Sequence, residues 1–287
     1  MEHAQHNSEK GAWISIAAYL FLSTLKLIVG YMTNSQALIA DGLNNTTDII
    51  ASVAVLIGLK IAKRPPDENH RYGHSKAETI SSMIASFVML TISLQVLLST
   101  LRALFSNEVE SPNIIAGFIA IFGAIVMFLV YRYNMALAKK TESHALKAAA
   151  KDNLSDALVS IGATIGIFGS QFQLPWLDPV TGFIVGLIIA KTGFDIFKES
   201  SYMLTDGFDE NKIETYKHFI EQIPGVLAVR DIKARVYGNK IYLDVVIFVD
   251  AQLSVAKSHQ ITDAIEREML VKYKVPHVHI HTEPFEK

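Results

Sequence analysis

Along most of the chain, apolar residues gather in blocks close to the length a membrane helix needs, about 20 residues. Six such blocks fall at roughly 12–33, 37–60, 79–104, 113–136, 146–170 and 179–200. Turn and breaker residues separate them: Thr33-Asn34-Ser35, Pro65-Pro66, Ser111-Pro112, Leu174-Pro175 and Asp178-Pro179. The first block follows a polar leader, Met1–Gly11, with no small-residue cleavage site, so a retained helix is expected rather than a signal peptide. Gly162, Gly166 and Gly169 share one side of the fifth block, and Gly182 and Gly186 lie four apart in the sixth; such spacing lets helix backbones pack closely.

After residue 208 the period changes. Glu210, Ile213, Tyr216, Phe219, Ile220 and Ile223 recur as a helical stripe that Pro224-Gly225 stops. Ile232, Ala234 and Val236 then alternate with charges, and Gly238-Asn239 offers a hairpin turn before the strand Ile241–Asp250. A second helix is expected over about 254–272, with Ser254 as its N-cap, and a last strand over Val275–Thr282. The predicted fold is a membrane α-helical bundle of six transmembrane helices (residues 1–208), followed by a cytoplasmic α+β domain (209–287) of α-β-β-α-β, ferredoxin-like order.

Composition sharpens this division. Half of the 287 residues are apolar and 19% are charged, below the share usual for soluble domains. Of the 54 charged side chains, 23 lie in residues 209–287. A net charge of −2 gives no electrostatic case for nucleic-acid binding, and the absence of cysteine excludes disulfides, thiolate metal sites and Cys nucleophiles. Lys60, Lys63, Arg64, Arg71 and Lys76 cluster in one loop, and Arg132, Lys139, Lys140 and Lys147 in another; the opposite side has only Arg102. By the positive-inside rule, both termini are expected in the cytoplasm of a multi-pass cell-membrane protein.

Polar groups inside the blocks then demand a reason, because each ionisable group in a bilayer costs at least about 2.5 kcal/mol. The second block carries Asp41, Asn44, Asn45 and Asp48; the fifth carries Asp152, Ser155 and Asp156. Asn44 and Asp48 are four apart and share a helical face, as do Asp152 and Asp156. Both pairs fall in the middle third of the membrane, so two antiparallel helices can aim one amide oxygen and three carboxylates at a shared point. Three desolvated carboxylates cannot all stay charged there without a compensating cation, and a divalent ion or protons are the alternative occupants. The plainer alternative is that these groups glue helices by hydrogen bonds. Asp41 and Asn45 read as weaker candidates, for an entrance or for packing.

These residues resemble the cation diffusion facilitators, proton-coupled exporters of divalent metals. The resemblance runs along nearly the whole chain. It rests on Asn34-Ser35-Gln36-Ala37-Leu38-Ile39-Ala40-Asp41-Gly42 leading to Asn44-x-x-x-Asp48, on Tyr72-Gly73-His74-Ser75-Lys76-Ala77-Glu78, and on Asp152-x-x-x-Asp156. It implies a transport site at Asn44, Asp48, Asp152 and Asp156. Zinc members usually have a histidine in that set; here there is none, and an all-oxygen set suits manganese over zinc. The arrangement looks like the bacterial manganese-exporting branch, with Fe(II) or other divalent ions as further substrates.

The resemblance also implies a loop metal site at Asp67, His70 and His74. It implies a cytoplasmic regulatory site at Asp244, His259, His281 and Glu283, where divalent metal binds between two tails. Arg230 stands where a family histidine often sits. His277, His279 and His281 alternate on one strand face, about 7 Å apart, too far for all three to ligate one ion. Family members are homodimers tied by a charge pair, matched here by Lys76 and Asp206. The expected function is therefore export of Mn(II) from the cytoplasm by proton-coupled, alternating-access antiport, within a lipid bilayer. The rivals are a passive divalent-cation channel, an exporter selective for Zn(II) or Fe(II), and a metal sensor without transport. No enzyme is expected: His-Glu-x-x-His and Gly-x-Ser-x-Gly motifs are missing.

Overall fold

The apolar blocks form six long helices: α1 (Glu2–Thr33), α2 (Gln36–Ala62), α3 (Lys76–Leu104), α4 (Ile115–Thr141), α5 (His144–Ser170) and α6 (Leu177–Leu204). The structure, a computed structural model, describes residues 2–106, 111–141, 144–237 and 240–285, and within these not the side chains of 2–12, 55, 59, 140, 141 and 144–148. The expected Gly238-Asn239 turn, and the side chains of Lys140 and Lys147, therefore lie outside the described residues.

Helix ends depart from the apolar pattern for local reasons. The polar leader is helical from Glu2, because Ala, Gln, Glu and Lys continue a helix past the point where hydropathy falls; the membrane-length stretch itself is Trp13–Thr33. Pro179, expected in a separator, sits in the first turn of α6, where its missing N–H costs nothing. Beside it Asp178 caps α2: Ser35 Oγ donates to its Oδ1 (2.6 Å) and the Gln36 N–H to its Oδ2 (2.6 Å). Among the described residues, five helices are long and apolar enough to cross a membrane. α5 is not one of them, since its first half carries Lys151, Asp152, Asn153, Ser155 and Asp156.

By contact the chain divides into two units, residues 1–54 with 84–195 and residues 55–83 with 196–287. In the first, α4 packs along α5, and α1 on both. Small residues dominate the contacts, with Ala37, Ala116, Ala120 and Ala163 around Leu38 and Ile167. Gly182 is required for packing: a Cβ there would lie 2.9 Å from the Gln36 carbonyl oxygen. Gly162, by contrast, faces open space.

The second unit holds the small domain. Asp209 N-caps α7 (Glu210–Glu221) and Ser254 N-caps α8 (Val255–Tyr273). β1 (Ala228–Tyr237) pairs antiparallel with β2 (Lys240–Val249), and β2 pairs parallel with β3 (His277–Pro284) in the order β1-β2-β3. The parallel pair requires a crossover, which α8 supplies. The α-β-β-α-β order is thus present as a small mixed sheet with two helices. Tyr216, Ile220, Leu243, Val245, Ile247, Ile265 and Met269 form its buried core.

Candidate transport site

Helical spacing turns Asn44 of α2 and Asp156 of α5 inward, and both are buried. Asn44 Nδ2 donates to Asp156 Oδ1 (3.0 Å), and Tyr19 Oη of α1 donates to Asp156 Oδ2 (2.7 Å). Asp48 lies within electrostatic reach of Asp156 and Asp152, and its Oδ2 is buried with no hydrogen-bond partner. Asp152, one turn from Asp156 toward the start of α5, is exposed. Asn44 and Asp156 are thus in contact, with Asp48 beside them. The three carboxylates do not draw their ligand atoms within 4.8 Å of one another; among the described residues only Asp67, His70 and His74 form such a trio.

Two polar networks flank this point, and sequence reasoning missed most of their members. On one side Asn153 Nδ2 donates to Tyr19 Oη (2.8 Å), while Asn153 Oδ1 accepts from Asn134 Nδ2 (2.9 Å) and Ser15 Oγ (3.2 Å). On the other, Lys26 and Asp41 are both 0% exposed and paired at 2.9 Å. The Lys26 ammonium also donates to Asn45 Oδ1 (2.8 Å) and Ser160 Oγ (2.9 Å). Ser15, Tyr19, Leu22 and Lys26 follow one another at intervals of four, three and four, which is one face of α1. The signal available in the sequence was a lysine inside an apolar block.

The loop between α2 and α3 holds Asp67, His70 and His74. Asp67 Oδ1 accepts from the His70 N–H (2.7 Å) and the Asn69 N–H (3.0 Å), and lies 3.1 Å from His70 Nδ1. His74 Nε2 is 3.4 Å from Asp67 Oδ2, and the two imidazole centroids are 4.3 Å apart. The His70 backbone N–H, helped by the His70 ring and the Asn69 N–H, holds the exposed Asp67 carboxyl below the ordinary carboxylate range. Two imidazoles and a charged carboxylate within reach of one point suit a borderline divalent ion.

Lys76 and Asp206 meet at 3.2 Å, with the Lys76 ammonium 5.6 Å from the Tyr237 ring centroid. In the small domain, among the described residues, the four expected ligands do not gather into one cluster within one chain. Glu283 is paired with Arg230, which reaches across the Phe248 ring; Asp244 lies 3.8 Å from His279, and His259 lies 3.6 Å from Asp263. His281 and Glu283 are 3.7 Å apart, and His277 stacks on Tyr242 with centroids 4.4 Å apart.

Comparison with known proteins gives a consistent result. Residues 12–205 match the cation efflux transmembrane domain, and residues 208–285 the cytoplasmic domain of cation efflux proteins. The chain is 57% identical over 279 residues to the manganese efflux system protein MneS of Bacillus subtilis, covering 97% of this chain and 96% of that one. It is 49% identical to the same organism's uncharacterized transporter YdbO, covering 96% and 95% of the two chains. To the manganese efflux system protein MneP, also of Bacillus subtilis, it is 31% identical, covering 97% and 96%. The matched domains span both the apolar bundle and the α-β-β-α-β tail, so the chain is a membrane-embedded cation efflux transporter, not an enzyme, and belongs to the cation diffusion facilitator family.

Proposed function

We propose that the protein exports a divalent transition metal, Mn(II) first, from the cytoplasm in exchange for protons. The observation that carries this reading is the contact of Asn44 with Asp156 beside the unpartnered Asp48 oxygen, a buried amide–carboxylate set without imidazole. Hard oxygen donors without imidazole favour manganese over zinc. MneS and MneP, manganese efflux proteins to which the chain is similar over nearly its whole length, point the same way.

All six long helices span the bilayer in this reading. α5 is the polar one because its carboxylates and amides face the bundle interior, where such groups are tolerated. Residues 1–208 form the transport domain and 209–287 a cytoplasmic domain through which two chains associate, with both termini in the cytoplasm. Asn44 now offers its N–H to Asp156, so metal entry requires the amide to turn and present its oxygen. The cation then replaces that donor as partner of Asp156 Oδ1, while Tyr19 keeps hold of Oδ2. Asp48 and Asp152 complete the set, Asp152 from the exposed, entrance side. Rocking of the helices opens the site outward, and protons arriving there displace the metal.

Lys76 and Asp206, paired within one chain, serve as the fixed hinge near which two chains associate. The loop trio and the tail residues Asp244, His259, His281 and Glu283 hold regulatory metal, the tail set being completed between two chains. The test is uptake of Mn(II), Zn(II), Fe(II) and Co(II) into proteoliposomes across a set pH step. Mn(II) flux that rises with the proton gradient is expected. Flux indifferent to the gradient makes the protein a channel, and strong Zn(II) flux without Mn(II) overturns the donor-set argument.

A further inference from the structure

The Lys26 ammonium is held in a buried pocket of oxygens. Its three N–H groups meet three oxygens, Asp41 Oδ1 at 2.9 Å, Asn45 Oδ1 at 2.8 Å and Ser160 Oγ at 2.9 Å, donated by α2 and α5. α4 leaves room for it: a Cβ at Gly123 would stand 2.6 Å from Lys26 Cε. The pocket is wholly buried, yet Asp41 Oδ2 and Asn45 Nδ2 have no partner. Buried polar atoms without a partner are uncommon and costly, and a buried ion pair is in any case a weak source of stability. Asp41 precedes Asn44 on α2 and Ser160 follows Asp156 on α5, so the pocket lies about one helical turn from the transport site, toward the α1–α2 end.

We propose that Asp41, Asn45 and Ser160 form a second cation site for a hard divalent ion, with Lys26 as its tethered occupant. The ammonium keeps this acidic pocket from capturing metal that leaves Asn44, Asp48 and Asp156. Its oxygens need to close by about 0.5 Å to hold a divalent ion, whose oxygen distances run about 2.1–2.5 Å. The function of this site rests on the transport reading above; its capacity to bind metal does not.

The test replaces the ammonium by an apolar chain of similar length, Lys26→Met, in the full-length protein. Equilibrium Mn(II) binding and proteoliposome flux are compared with wild type, Lys26→Arg and Lys26→Met/Asp41→Asn. Lys26→Met is expected to bind one more Mn(II) per chain and to export at least about tenfold more slowly, because metal lodges in the opened pocket. Lys26→Arg and the double variant are expected to show no added ion. If Lys26→Met is unstable without metal, Mn(II) is expected to raise its melting temperature more than that of the double variant. Equal Mn(II) counts in Lys26→Met and wild type, or equal melting shifts in the single and double variants, overturn the second site. Gradient-independent flux in wild type overturns the transport reading instead, whatever the counts.

Discussion

Removal of the Tyr19 hydroxyl tests how Asp156 is held. In Tyr19→Phe the ring and its packing against Leu22, Met127 and Ala157 stay, while the 2.7 Å bond to Asp156 Oδ2 is lost. Partners that orient a ligand typically contribute about 10- to 100-fold in metal affinity. At about 1.4 kcal/mol per tenfold this is about 1.4–2.8 kcal/mol, the range of a hydrogen bond to a charged group. A second consequence is that Asn153 Nδ2 loses its acceptor, which costs about 1–3 kcal/mol of stability. Initial rates of Mn(II) uptake against Mn(II) concentration separate these effects. The expected result is a KM raised at least about tenfold, with Vmax changed far less among folded molecules. A KM within about twofold of wild type would refute the claim that Tyr19 orients the carboxylate.

Three further outcomes concern the α2–α3 loop and the small domain. Arg230→Ala frees Glu283 beside His281, so tail metal affinity is expected to rise in calorimetric titration; unchanged affinity removes Glu283 from the tail set. Asp67 stays charged to lower pH than an ordinary carboxylate, so it keeps its charge as a loop ligand further into acid. Loop metal binding is expected in wild type and is expected to be absent in His70→Ala/His74→Ala, whereas loop binding that persists in the double variant excludes these ligands. Ile265 is fully buried in the small domain, so Ile265→Ala is expected to destabilise that domain by about 2–5 kcal/mol in denaturant unfolding; a loss below about 1 kcal/mol contradicts the packing described.

Much of the architecture was legible because its signals are local. Block length announced the long helices, while spacing by four did not foretell that Asp156 is buried and Asp152, one turn away, is exposed. The helix starts at Glu2 and Leu177 were not legible, since helix propensity and first-turn proline act independently of hydropathy. Lys26 and Tyr19 were missed because a linear pattern does not say which face of α1 meets α2 and α5. The weak reading of Asp41 and Asn45 had the same cause: their partner lies on another helix. Arg230 with Glu283 joins the outer strands of a three-stranded sheet across Phe248, a pairing that follows from the parallel placement of β3 and not from either strand alone.

The central claim is that buried oxygens on α2 and α5 exchange one hard divalent ion for protons. Simultaneous recording of Mn(II) and proton flux in proteoliposomes of wild type and Asp156→Asn tests it most directly. The account predicts opposed, stoichiometric fluxes in wild type and loss of both in the variant. Coupled exchange that survives in Asp156→Asn, or Mn(II) movement without proton counterflow in wild type, would contradict it.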